Sequence, residues 1–168
     1  GRPGNPDPAG ATSATGMTAM LVDSHCHLDF PDFQGREAEF LAQMAANGVG
    51  LALIAGVTLE RLPGVLALTE RFPEFYAGVG VHPDTEGEAR EPDVETLCQL
   101  ALHPRVVAIG ETGLDYYRLK GDLEWQRERF RVHIRAARKA GKPLIIHTRS
   151  AADDTLEILR DEGGESVG

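Results

Sequence analysis

Residues 106–113 read VVAIGETG, an apolar run without polar alternation that closes on Glu111 and Gly113. A strand covered on both faces reads this way, and such strands belong to parallel sheets flanked by helices. The same texture recurs in MLVDSH (20–25), VGLALIAGV (49–57), FYAGVGVHP (75–83) and PLIIHTR (143–149). Between these runs lie longer amphipathic or polar stretches: REAEFLAQMAANG (36–48), TLERLPGVLALTERF (58–72), EPDVETLCQLALH (91–103), DLEWQRERFRVHIRAARKAG (122–141) and AADDTLEILRDEG (151–163). The fourth is the clearest helix. Phe130, His133, Ile134 and Ala137 share one face by 3.6-residue spacing, and Gly141 then Pro143 supply a stop. Pro63 marks where the second helix starts or is reset. Five consecutive β-α units predict an α/β fold with a parallel sheet, either open and doubly wound or closed into a barrel.

The chain has 168 residues, 42% of them hydrophobic, which suits a globular domain with a real core. No apolar run approaches the roughly 20 residues that a membrane helix needs, so no membrane association is expected. The net charge of −9 argues against non-specific coating of nucleic acid. It leaves a nuclease open, because bound divalent cations add local positive charge. Cys26 and Cys98 show no C-x-x-C spacing, so neither a zinc knuckle nor a redox pair is indicated. Two buried thiols in a reducing cytosol is the simplest reading, and a cytoplasmic location is the expectation. The opening GRPGNPDPAGATSATGMTAM lacks the basic start and apolar stretch of a secretory signal. Residues 1–19 read as a flexible leader, an upstream-start extension or an expression remnant, with Met17 or Met20 a natural beginning.

Ligand-type residues gather at the strand ends. His25 and His27 close the first run, and residues i and i+2 of a strand project from one face. Cys26 between them points away into packing, while Asp23 and Asp29 could orient the rings by hydrogen bonds. His82 closes the third run, Glu111 the fourth and His147 the fifth. In α/β folds this C-terminal edge is where catalytic groups collect. Each residue has a plainer reading: His25 with His27 as an incidental pair, Glu111 as a helix cap, His147 as a core histidine, His82 as a turn former. Their common placement favours a metal centre, with His82 open to a turn or substrate role. His103 and His133 lie on helical stretches and read as structural or surface residues. Arg149, two residues after His147, suits an anion clamp better than a helix-flanking charge. Mixed imidazole and carboxylate ligands suit Zn, Mn, Ni or Co, and Mg as a further option. Two such ions about 3.5–4 Å apart can clamp the attacking and leaving oxygens of a phosphodiester.

DSHCHLD (23–29), GVHP (80–83), GETGLDYY (110–117) and KPLIIHTRSAADDTLEIL (142–159), in this order and spacing, resemble the TatD family of metal-dependent deoxyribonucleases. The resemblance spans Leu21 to about Leu159. It implies a TIM-type barrel of the amidohydrolase superfamily, with residues 20–168 forming its N-terminal part and supplying the first five β-α units. It implies that His25, His27 and Glu111 bind one metal, and that Glu111 bridges to a second ion held by His147. Glu111 and His147 are then the catalytic pair. From the residues themselves, His82, Arg149 and Tyr116 are candidate substrate contacts. Tyr116 with its neighbours Asp115 and Tyr117 could bond or stack on a nucleotide, or equally serve ordinary packing. The implied activity is exonucleolytic attack on DNA, mainly from 3′ ends, in repair or degradation. Members of the family carry three further β-α units, with a histidine in a motif like HCFTG and an aspartate in a motif like TDSPYL. Here the chain ends at GGESVG, so a fragment of a longer protein is expected, with an inactive truncated product as the rival. Asp84 stands where many relatives carry a second histidine. A different amidohydrolase, acting on an amide, an ester or a D-aminoacyl-tRNA, is the alternative activity. Many of those bridge their metals with a modified lysine where this chain has Glu111, which favours the nuclease branch. The oligomeric state is left open.

Overall fold

The computed structural model describes residues 20–87 and 89–168, so residues 1–19, expected from the sequence to be a leader or remnant, lie outside the described residues. Five strands alternate with helices: β1 Leu21–Cys26, α1 Glu37–Ala46, β2 Val49–Ile54, α2 Leu62–Arg71, β3 Phe75–Val79, α3 Val94–Leu100, β4 Val106–Asp115, α4 Glu124–Ala140, β5 Leu144–Arg149 and α5 Ala152–Asp161. All four strand pairings are parallel, and the order in the sheet is β1-β2-β3-β4-β5. A doubly wound sheet reverses its strand order partway across. This one never does. The winding is that of a barrel wall, and the five units form part of a TIM-type barrel.

The local signals act where expected. Pro63 is the second residue of α2, where a missing N–H costs nothing. Helix α4 ends at Gly141, which takes the left-handed φ of 65° that its C-cap needs. One core cluster packs Ile54, Phe75, Val79, Val106 and Ile109 of the sheet against Leu62, Val65, Leu97 and Ala136 of the helices. A second, smaller cluster joins Leu114 to Phe130, Ile134, Ala151 and Ile158.

Cover on both sheet faces holds only in part. The helices lie on one face, and the outer strands are open, with Val22 54% and Ile146 37% exposed. The opposite face carries Val22, Leu51, Leu53, Tyr76 and Val107, which line a shallow apolar hollow. Apolar runs in these strands therefore mark barrel-interior positions as well as helix-covered ones. Cys26 and Cys98 are both free, and Cys26 Sγ lies 3.4 Å from Leu53 O. Among the described residues no helix is long and apolar enough to cross a membrane.

Candidate metal centre

Glu111 lies within the C-terminal half of β4 and is only 4% exposed. The chain reaches that position through a close approach of two backbones. Gly113 pairs with His147 of β5 and has a φ of +138°. A Cβ there would lie 1.9 Å from the His147 carbonyl oxygen, so only glycine lets β5 lie this close.

Four histidines surround the one carboxylate, two to each oxygen. On one side, His25 Nε2 and His27 Nε2 lie 3.1 and 3.4 Å from Glu111 Oε2. On the other, His147 Nδ1 and His82 Nε2 lie 3.2 and 3.7 Å from Glu111 Oε1. Parallel strand ends produce this grouping, since β1, the β3 loop, β4 and β5 all finish at the same rim. Burial alone would raise the Glu111 pKa. The hydrogen bond with His27 and the charges of His82, His25 and His147 outweigh that and hold it at about 2. The same bond raises the pKa of His27. Burial pushes His82 down, against the pull of Asp84 and Glu111.

The tautomers that the partners assign decide what the cluster can hold. His147 Nε2 lies 3.0 Å from Asp115 Oδ2, and Asp115 is fully buried. A carboxylate accepts only, so His147 carries a proton on Nε2. Its Nδ1 faces a second carboxylate, Glu111, to which it donates as an imidazolium or, when a bound cation displaces that proton, presents a lone pair. His82 Nδ1 lies 2.5 Å from Asp84 Oδ1 and 3.2 Å from the Asp84 main-chain N; when Nδ1 carries the proton for the carboxylate, the His82 Nε2 lone pair faces the same Glu111 oxygen. With both rings neutral and protonated on the nitrogens that face Asp115 and Asp84, their other lone pairs would converge on the Oε1 side, where a cation satisfies them. His25, His27 and Glu111 offer ligand atoms all within 4.8 Å of one another, and so do His82, Glu111 and His147. The donor set fits one or two divalent cations, with imidazole nitrogen and carboxylate oxygen in each half.

Several expected site residues fall elsewhere. Asp23 and Asp29 do not orient the rings: Asp23 accepts the His25 main-chain N–H at 3.1 Å, and Asp29 pairs with Arg61 at 2.9 Å. His27 is instead held by stacking on Phe30 at 4.8 Å, with the Arg61 guanidinium 4.5 Å from that ring. Tyr116 turns away from the rim, and its hydroxyl donates to Asp154 Oδ2 at 2.5 Å beside Arg127. Arg149 stays outside the cluster on the exposed rim, its guanidinium 4.0 Å above the Tyr117 ring. His103 caps a surface turn through the Arg105 N–H, whereas His133 is completely buried. Sequence reasoning missed Asp115 as the partner of His147. Its signal was its spacing, four residues beyond Glu111 and so on the same strand face.

Fold and site together define a class: parallel barrel proteins with a histidine–carboxylate cluster built for divalent cations at the C-terminal rim. The family model for TatD related DNase matches residues 22–168, and the chain belongs to the TatD family. It is 43% identical over 149 residues to the uncharacterized metal-dependent hydrolase YcfH of Escherichia coli K12, covering 85% of this chain and 54% of that one. It is 34% identical over 149 residues to the uncharacterized metal-dependent hydrolase YabD of Bacillus subtilis 168, covering 89% of this chain and 58% of that one. The crystal structure of YjjV, a TatD homolog from Escherichia coli K12, superposes with a TM-score of 0.76 at 33% identity, covering 84% of this chain and 56% of that one. The chain therefore spans little more than half the length of the relatives it matches.

Proposed function

We propose that this chain carries the larger part of a metal-dependent hydrolase centre whose substrate is DNA, cleaved at phosphodiester bonds from 3′ ends. The observation that supports it most is the division of labour at Glu111, with Oε2 facing His25 and His27 and Oε1 facing His82 and His147. A carboxylate so placed can bridge two cations. In the first half His25 and His27 would be the ligands; in the second, His147 with His82 beside it. Bound there, divalent ions supply Lewis acidity at a phosphoryl oxygen and acidify a nearby water. The chain's own residues prepare the place. Asp115 would hold a proton on Nε2 of His147 and Asp84 one on Nδ1 of His82, so that each ring could turn its other nitrogen to a cation. Phe30 stacks on His27 and fixes its plane.

The rim suits a nucleotide strand. Arg149 over the exposed Tyr117 offers a cationic edge beside a stacking face, the pairing that single strands exploit. Arg118 adds a second cation at the rim, 2.5 Å from Asp84. The family's description as TatD related DNase and the relatives' naming as metal-dependent hydrolases point the same way.

The test is metal-dependent release of nucleotides from 3′-labelled single-stranded DNA with Mg²⁺ or Mn²⁺. Three proteins are compared: this chain, a version lengthened to the span of its relatives, and the lengthened version with Glu111→Ala. Activity in the lengthened protein that disappears in the variant is the expected result. If the lengthened, metal-loaded protein leaves DNA intact, the nuclease reading fails and an amide or ester substrate takes its place.

A further inference from the structure

Helix α4 needs an apolar face to cover β4, and Phe130, Ile134 and Ala137 supply one. The same buried face also carries Gln126, Arg129 and His133. Polar side chains on a packing face are destabilising unless their atoms find partners. Here the partners are mostly main-chain atoms of the β3 loop and of the end of β4. Gln126 Nε2 donates to Pro83 O at 3.1 Å, and Gln126 Oε1 accepts the Asp115 N–H at 3.0 Å. Arg129 Nη1 donates to His82 O at 2.8 Å and Thr85 Oγ1 at 3.0 Å, while Nη2 donates to Thr85 O at 2.9 Å. Its remaining donors meet Glu91, and the Trp125 ring lies 4.8 Å from its guanidinium. His133 Nε2 accepts the Val81 N–H at 3.0 Å, and its Nδ1–H donates to Arg129 O at 2.7 Å. The backbone from Val81 to Thr85, which bears His82 and Asp84, is thus bonded at several points to one helix, besides the bond from the His82 N–H to Val57 O.

We propose that Gln126, Arg129 and His133 are positioning residues that set the backbone beneath His82 and Asp115, and so the half of the cluster facing Glu111 Oε1. The proposal rests on the cation-site reading of the cluster. None of the three touches that cluster's ligand atoms; they act by fixing where His82 and Asp115 begin. A helix that only covered the sheet would need no such groups. Bonds to main-chain atoms also hold the loop whatever its side chains are, which is how a supporting shell keeps a site within its working tolerance.

The test uses Arg129→Met and His133→Leu, with His133→Gln as the conservative variant. Glutamine keeps an acceptor for Val81 N–H and a donor for Arg129 O. Ile134→Ala, on the same face without a polar partner, controls for lost packing. Histidine ring resonances are followed by NMR, first metal-free and then during titration with Zn²⁺. The expected result is a shifted His82 resonance in metal-free Arg129→Met and His133→Leu. The Zn²⁺ concentration that perturbs His82 and His147 should rise tenfold or more, with His25 and His27 responding as in the wild type. His133→Gln restores both readouts, and Ile134→Ala moves neither. An unmoved His82 in the two disruptive variants overturns the proposal, and so does the same selective change in Ile134→Ala. If His133→Leu does not fold, Arg129→Met, which keeps an apolar stem, carries the comparison. If Zn²⁺ perturbs no histidine of the wild type, the cation reading fails, and the metal-free His82 shift still decides the positioning role.

Discussion

Asp115 Oδ2 and His147 Nε2 lie 3.0 Å apart, with the aspartate fully buried at the end of β4 and the histidine on β5 beside it. The same carboxylate caps the turn that follows, Oδ1 accepting the N–H groups of Tyr117 at 3.0 Å and Arg118 at 2.7 Å. One side chain therefore ties the shape of the rim to the ring of His147, one of the candidate cation ligands. Burial would raise the Asp115 pKa, but the Arg118 N–H and His147 outweigh it and hold the group ionised.

Asp115→Asn separates these two duties. The amide oxygen still accepts from Tyr117 and Arg118, so the turn survives. The amide nitrogen donates to His147 Nε2 and drives the ring proton onto Nδ1, where a cation should sit. The expected outcome is a 10- to 100-fold loss of Zn²⁺ affinity on the His147 side, of the order seen when a ligand's hydrogen-bond partner is removed. Calorimetry reads the affinity, and an unchanged circular dichroism spectrum shows that the fold persists. Equal affinity in the variant would mean that Asp115 serves the turn alone.

Gly113→Ala tests the packing that brings β5 to β4. A Cβ 1.9 Å from His147 O, at a φ of +138°, combines backbone strain with overpacking. The expected destabilisation is about 3 kcal/mol or more. Urea unfolding of both proteins measures it. A change under about 0.5 kcal/mol, the range of an ordinary surface substitution, would show that the strands are not in this register.

His133 makes stability depend on pH. Burial pushes its pKa from 6.5 down to about 4. The unfolded chain therefore takes up a proton at a higher pH than the folded one. The stability present above pH 6.5 is lost as the pH falls toward 4. Between pH 7 and pH 5 the loss from this one group is about 2 kcal/mol. His133→Gln removes that part, so the stability difference between wild type and variant should shift by about that amount across this interval. Denaturant unfolding at both pH values checks it, and a difference independent of pH would contradict the burial of a neutral ring.

Much of the site is legible in the sequence because a parallel strand has only one C-terminal end. Once VVAIGETG and its counterparts are read as strands, His25, His27, His82, Glu111 and His147 must meet at one rim, and they do. The direction of side chains beyond the strand ends is not legible in the same way. Strand β4 stops at Asp115, and the turn that follows breaks the alternation of faces. Nothing in GLDYY therefore says that Tyr116 turns toward Asp154 while Tyr117 stays on the rim. Helical spacing identified the buried face of α4 but not its partners. Gln126, Arg129 and His133 bond to a loop more than 40 residues upstream, a separation that periodicity does not report. The choice between an open sheet and a barrel also needed the structure, because β-α alternation is common to both. The unreversed strand order decides it.

The most direct test of the account is a calorimetric titration of this chain and of its Glu111→Gln variant with Zn²⁺. Glutamine keeps the size of the side chain but cannot serve both histidine pairs with a charged oxygen. The account predicts saturable binding by the wild type and its loss, by at least about 100-fold, in the variant. Equal binding by the two proteins, or none by either, would contradict the claim that Glu111 and its four histidines form a metal centre.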